Sequence, residues 1–277
     1  MKKSNLLNSL ILAALAVPGV AMAADAAPAP TPLFTANVAL VSDYLYRGIS
    51  QTAGKPAIQG GFDYAHSSGF YAGVWGSSIS WIGDTLVTSG GTAGATGAGL
   101  ELDTYFGFRN SFATDFSYDV GFLRYNYPGV YIPDSTKADT NEIYGLIGWK
   151  WITLKYSDSL GDMFGVKDAS GTNYIDLSAS YTLEGSGVIL GAHYGQQKYK
   201  GSTADGLKNT YLAGVSQDPT YTDYNVSVSK DFGGYVWGLK YSDTDAEKGG
   251  FYTATAADLS AVDLGKGTVV LSVTHSM

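Results

Sequence analysis

The chain contains no cysteine, so disulfides and thiolate metal centres are excluded. Charge is scarce too: only 15% of residues are Asp, Glu, Lys or Arg, and the acidic ones prevail to give a formal charge of −8. That balance disfavours a nucleic-acid partner, whose phosphates require a basic surface. Blocks of Glu, Lys and Leu are missing, which argues against helical bundles and solenoids. Beyond the N-terminus no apolar run approaches the roughly 20 residues that a membrane-spanning helix needs. A membrane protein of this composition has to be a closed barrel, the only other fold that satisfies its backbone in lipid. Histidine is limited to His66, His193 and His275, without metal-ligand spacing. No cofactor and no metal are implied.

What is present begins with an export signature. Lys2 and Lys3 precede a short apolar stretch over residues 6–17, and Ala21-Met22-Ala23 fits the small-x-small cleavage rule. The expected organisation is a cleaved signal peptide at 1–23, a Pro/Ala-rich tether at 24–33 carrying Pro28, Pro30 and Pro32, and a β-barrel at 34–277.

The remainder is rich in Gly (36 residues) and Tyr (21 residues), a mixture suited to strands and turns. From Phe34 onward, segments of roughly ten residues alternate apolar or aromatic with small or polar residues, the pattern of a membrane β-barrel. Ile175, Leu177, Ala179 and Tyr181 oppose Asp176, Ser178 and Ser180. Leu100, Leu102, Phe106 and Phe108 oppose Glu101, Asp103, Tyr105 and Arg109, which puts every charge of that segment on one side. About twelve such segments are joined alternately by short links and by longer ones, as periplasmic turns and outer loops are. The expected fold is all-β: a transmembrane, antiparallel, up-and-down barrel of about 12 strands with both ends in the periplasm. A bulge is expected near Arg124. Tyr44, Tyr46, Trp75, Trp81, Trp149, Trp151 and Trp237 are expected in girdles at the lipid headgroups.

Strand parity also nominates the lumen. Asp43 and Arg47 share a parity on the first strand, and Asp63, Glu101, Asp103, Arg109, Glu142, Lys155, Asp176, His193 and Lys240 take the inward parity of theirs. Charges of both signs would line the interior, with an acidic majority favouring cations or neutral polar solutes. His193 reads as a lumen histidine rather than a general base, because spacing shows no convergent Ser and acid. Asp158, Asp162, Asp243, Asp245 and Glu247 are acidic loop residues that match no calcium loop well and read as solvated charge.

Two blocks at the start, Asn37-Val38-Ala39-Leu40-Val41-Ser42-Asp43-Tyr44 and Tyr46-Arg47-Gly48-Ile49-Ser50-Gln51, resemble the opening of the TorF family of outer-membrane porins. Gly69-Phe70-Tyr71-Ala72-Gly73-Val74-Trp75-Gly76-Ser77 is similar to that family's second block. Residues 125–129, followed by Glu142-Ile143-Tyr144, are similar to its middle region. The resemblance implies an outer-membrane barrel. Export plus a barrel points to the outer membrane of a Gram-negative bacterium, in contact with lipid and lipopolysaccharide and inserted by the barrel assembly machinery. One departure is the ending Val273-Thr274-His275-Ser276-Met277, which lacks the terminal aromatic common in such barrels. Passive diffusion of small hydrophilic solutes or ions is the leading function, with a monomer as the default state. A closed-lumen receptor or adhesin acting through its long loops, and a barrel enzyme, stay open as other readings.

Overall fold

The computed structural model describes residues 33–86, 98–131, 135–212, 214–255 and 261–277. The signal peptide, most of the tether and most of the Gly-rich stretch at 90–99 lie outside the described residues.

Twelve strands close into one antiparallel barrel. They are β1 (Phe34–Val41), β2 (Ala57–Ala65), β3 (Phe70–Ser78), β4 (Leu100–Phe112), β5 (Phe116–Asn126) and β6 (Thr140–Trp149), then β7 (Ile152–Ser159), β8 (Asn173–Leu183), β9 (Val188–Lys198), β10 (Tyr221–Phe232), β11 (Tyr235–Thr244) and β12 (Thr268–Ser276). Each pairs with its chain neighbour, and β1 pairs with β12 through Asn37 to Ser276 and Val41 to Ser272. Closure leaves no edge strand and satisfies the ladder all round, which is what lets strands sit in lipid. Both ends of the barrel chain lie at the end of the short turns. No helix of the described residues is long and apolar enough to cross a membrane.

The period-2 pattern decides which face is which. Phe62, Phe106, Val120, Ile143, Leu177, Val226, Leu239 and Leu271 are exposed on the outside, whereas Gln59, Glu101, Asp103, Asp119, Glu142, Asp223 and Ser272 are buried inside. An apolar outside around a polar inside inverts the order of a water-soluble protein and matches a barrel solvated by lipid. Within this frame Trp149, Trp151 and Trp237 stand exposed at the short-turn end, where an aromatic girdle belongs.

Several expectations are corrected. Tyr44 and Tyr46 are buried in the interior, and Trp75 and Trp81 pack against that same interior cluster, so these four are not girdle residues. The expected bulge near Arg124 is absent: β5 pairs with β4 from Leu102–Asn126 to Phe112–Phe116 in unbroken register. β4 continues through Asn110 and Ser111, and its turn falls at 113–115.

Tyrosine and glycine are joined across the strands on the inner face. Gly73 sits opposite Tyr105 and Gly107 opposite Tyr71, while Gly121 sits opposite Tyr144. A Cβ at Gly73 would lie 2.5 Å from the Tyr105 ring, and one at Gly121 would lie 2.6 Å from that of Tyr144. Each ring lies flat in the gap its glycine leaves, covering bare backbone. A ring lying against the wall narrows the interior less than one projecting across it.

Candidate functional site

The interior is dominated by the segment between β1 and β2. β1 ends at Val41, so Asp43 and Arg47 are not on the first strand as parity implied. They belong to a hairpin that folds into the barrel at the long-loop end. Leu45–Tyr46 pairs with Ile49–Ser50 across a two-residue turn of Arg47 (φ 47°) and Gly48 (φ 79°). Positive φ at both positions is the requirement of a type I′ hairpin, which fits the strand twist. A Cβ at Gly48 would meet Asp223 Cβ at 2.7 Å and Thr244 Cγ2 at 2.6 Å, so only glycine lets the tip reach the β10–β11 wall.

Bonds from this hairpin reach around the lumen. Arg47 donates to the Glu142 carboxylate on β6 at 2.8 and 3.0 Å, and to Gln197 Oε1 on β9 at 2.7 Å. Its guanidinium also lies 4.3 Å from the centre of the Tyr174 ring on β8. The Tyr46 hydroxyl meets that of Tyr125 on β5 at 2.7 Å. Tyr44 donates to Glu101 Oε1 on β4 at 2.9 Å. Asp43 accepts from Ser50 Oγ at 2.6 Å and Thr52 Oγ1 at 2.9 Å, which ties the hairpin to itself. Charge-assisted bonds of this kind are the strong ones, and Arg47 and Glu142 are both buried.

The other nominated side chains lie on strands facing the same interior. Asp103 is buried on β4 two residues from Glu101, and its Oδ1 has no hydrogen-bond partner among the described residues. Asp63 accepts from the Tyr105 hydroxyl at 2.6 Å. Arg109 stacks over Tyr71 at 4.9 Å opposite Asp119. Lys155 lies 4.1 Å over Tyr144 and opposite Asp176. Lys240 is buried on β11 and, with Asp43, lines a small gap beside the hairpin.

His193 lies between two carboxylates. Its Nδ1 is 3.1 Å from Asp176 Oδ2, and its Nε2 is 2.9 Å from Asp223 Oδ1. Tyr174 donates to Asp223 Oδ2 at 2.7 Å, and Ser178 donates to Asp176 at 2.6 Å while standing 3.1 Å from His193 Nδ1. A Ser, a His and an Asp therefore converge. Both ring nitrogens face carboxylate oxygens, however, so each is best used as a donor. A general base needs one nitrogen free to accept the serine proton, and here the imidazole bridges two anions instead.

Sequence reasoning passed over Asp119, Asp223, Tyr125, Tyr174 and Gln197. Asp223 has the inward parity of its segment, which is a usable signal. Asp119 was hidden by Gly121, which blurs the alternation around it. Of the acidic residues expected in loops, Asp158 and Asp243 instead lie at the ends of β7 and β11, and the bonds are local: Asp162 accepts from the Asp168 N–H, Asp245 from Thr222 and Asp243 from Tyr241. Among the described residues no group of His, Asp and Glu side chains is arranged to hold a metal ion.

On the far side of the hairpin from the inner lumen lies a cavity of about 380 Å³, floored by Tyr46, Ile49 and Gln51 and walled by long-loop residues. Burial pushes the phenols of Tyr127, Tyr131, Tyr199 and Tyr252 above the usual tyrosine range, so these rings stay neutral.

A closed barrel with an apolar outside, a charged inside and an in-folded first loop belongs to the class of membrane-spanning β-barrels. Residues 24–277 match the model of the Gcw_chp family, described as a bacterial protein of unknown function, and the chain belongs to that family. No curated protein matches it. Among solved structures it is similar to the KdgM porin, with 10% identity over 88% of this chain and 99% of that one at a TM-score of 0.48. It is also similar to the NanC porin, with 8% identity over 87% and 97% at 0.47. For OprD of Pseudomonas aeruginosa the figures are 14% identity over 90% and 68% at 0.39.

Proposed function

We propose that this protein is an outer-membrane channel of a Gram-negative bacterium, exported by a cleaved signal peptide, through which small hydrophilic solutes or ions diffuse passively. The hairpin at Arg47 is its constriction. The observation that carries the reading is the hairpin's anchorage to charged side chains of a polar lumen, Glu142 above all, inside a wall whose outer face is apolar. Opposed charges along a restricted path set the field and width that select among solutes. The opening blocks that resemble the TorF porins support the same reading. Lipid and the acyl part of lipopolysaccharide would cover the outer face, and the barrel assembly machinery would insert the chain.

One observation favours a second reading. The hairpin bonds to β4, β5, β6 and β9, and a barrel so filled could serve as a receptor displaying its long loops. Single-channel recording in a planar bilayer separates the two. Discrete conductance steps, with cation selectivity that falls in a Glu101→Gln, Asp103→Asn variant, are expected of the channel. A correctly folded barrel without steps would favour the receptor.

A further inference from the structure

We propose that the cavity above the hairpin is a binding site for an uncharged, ring-bearing molecule with a mainly apolar surface. Its standing as an entry site for that class of solute rests on the channel reading.

The volume of about 380 Å³ lies at the small end of the range usual for ligand sites. Among the described residues, none that lines it is charged. Arg47 is committed to Glu142 and Gln197, and Lys137, 5.8 Å from the lining Tyr131 ring, is exposed to solvent, so an ionised ligand would lose its hydration for little return. The walls are aromatic and already packed. Phe164 meets the rings of Tyr46, Tyr125 and Tyr127 edge-on at 5.5, 5.2 and 6.3 Å, and Tyr221 meets Tyr252 at 4.9 Å. Rings fixed in edge-to-face contact offer a ligand ring a preformed surface with little ordering left to do.

The exposed lining is mainly apolar, which favours a phenol-like ligand over a sugar. Of the two lining amides, Gln51 donates to the Ile49 carbonyl, while Gln197 accepts from Arg47 and donates to the Asn173 carbonyl. Thr253 lines the cavity, and its buried Oγ1 has no hydrogen-bond partner among the described residues. A buried hydroxyl without a partner is uncommon, and a single polar group on a ligand would satisfy it.

The test is calorimetric titration of 2-naphthol and of 2-naphthalenesulfonate into the full protein in lipid nanodiscs, with empty nanodiscs as the blank. The expected result is saturable binding of the naphthol, with the sulfonate weaker by roughly tenfold or more. Phe164→Ala should weaken naphthol binding by about tenfold. Thr253→Asp, a second variant that keeps the rings, should turn the preference toward 2-naphthylmethylammonium. Sulfonate binding as tight as naphthol, or naphthol binding unmoved by both variants in protein that keeps its folded gel mobility, would overturn the proposal. Conductance of the same preparation is read separately. Steps without naphthol binding sink the site alone, and binding without steps upholds the site and sinks the channel.

Discussion

Arg47 and Glu142 form a buried ion pair at 2.8 Å between the tip of the in-folded hairpin and β6. Ninety-five residues separate them in sequence, so this bond fixes the hairpin only once the barrel has closed around it. Removing one partner of a buried pair costs about 3–5 kcal/mol, because the other is left uncompensated. Arg47→Ala is therefore expected to unfold at lower temperature than the parent, and its conductance should rise as the hairpin comes away from β6. Heat-dependent gel mobility and planar-bilayer recording measure the two effects. An unchanged conductance would mean that the hairpin does not limit the path.

A double variant isolates charge from packing. Arg47→Met with Glu142→Leu removes both charges at once and should recover a large part of the stability lost by Arg47→Ala, since a buried pair is often replaceable by apolar residues of similar volume. If the double variant is as unstable as the single one, the hairpin is held by the Gln197 and Tyr174 contacts of Arg47 instead.

The glycine–tyrosine joints make a prediction about the wall. Gly73→Ala places a Cβ 2.5 Å from the Tyr105 ring, forcing that ring off its strand and breaking its bond to Asp63. A loss of about 1–3 kcal/mol is expected, the usual cost of overpacking. Gly145→Ala is the control, because nothing lies within 4 Å of its Cβ position, and its effect should stay within about 0.5 kcal/mol. Urea titration of refolded protein, followed by tryptophan fluorescence, compares them.

Much of the barrel was legible in sequence because membrane strands state their geometry residue by residue. Leu177 faces out and Asp176 in because period 2 allows nothing else. The hairpin was not legible, because Tyr44, Tyr46 and Arg47 prolong the alternation of β1 and read as more strand. The turn at Arg47-Gly48 was the one local sign that the chain reverses there. The tyrosine joints were hidden for another reason. Tyr71 and Gly107 meet across strands linked by a long loop, and the register of such a pair cannot be counted out from a turn. The outer cavity is assembled from loops and strand ends distant in sequence, so its mainly apolar, aromatic lining emerges only when they are brought together.

His193 tests how the lumen manages its acids. Its imidazole lies between Asp176 and Asp223, so His193→Gln leaves two carboxylates facing each other with only neutral donors between them. Cation preference of the channel should increase, read as a larger reversal potential under a potassium chloride gradient. An unchanged potential would place these residues off the conducting path.

Leu177 is half exposed near the middle of β8, opposite Leu154 on β7 and Tyr194 on β9. If lipid covers this band, Leu177→Arg must bring a guanidinium close to the bilayer midplane, at a cost of about 2–4 kcal/mol. The same substitution at the short-turn end, Phe232→Arg, should cost about 0–1 kcal/mol, because the interface hydrates the charge. Ser178→Arg points inward and should change conductance more than stability. Folding titrations in phosphatidylcholine vesicles rank the three. Equal stability of Leu177→Arg and Phe232→Arg would mean that no hydrocarbon surrounds the barrel, whatever its interior conducts.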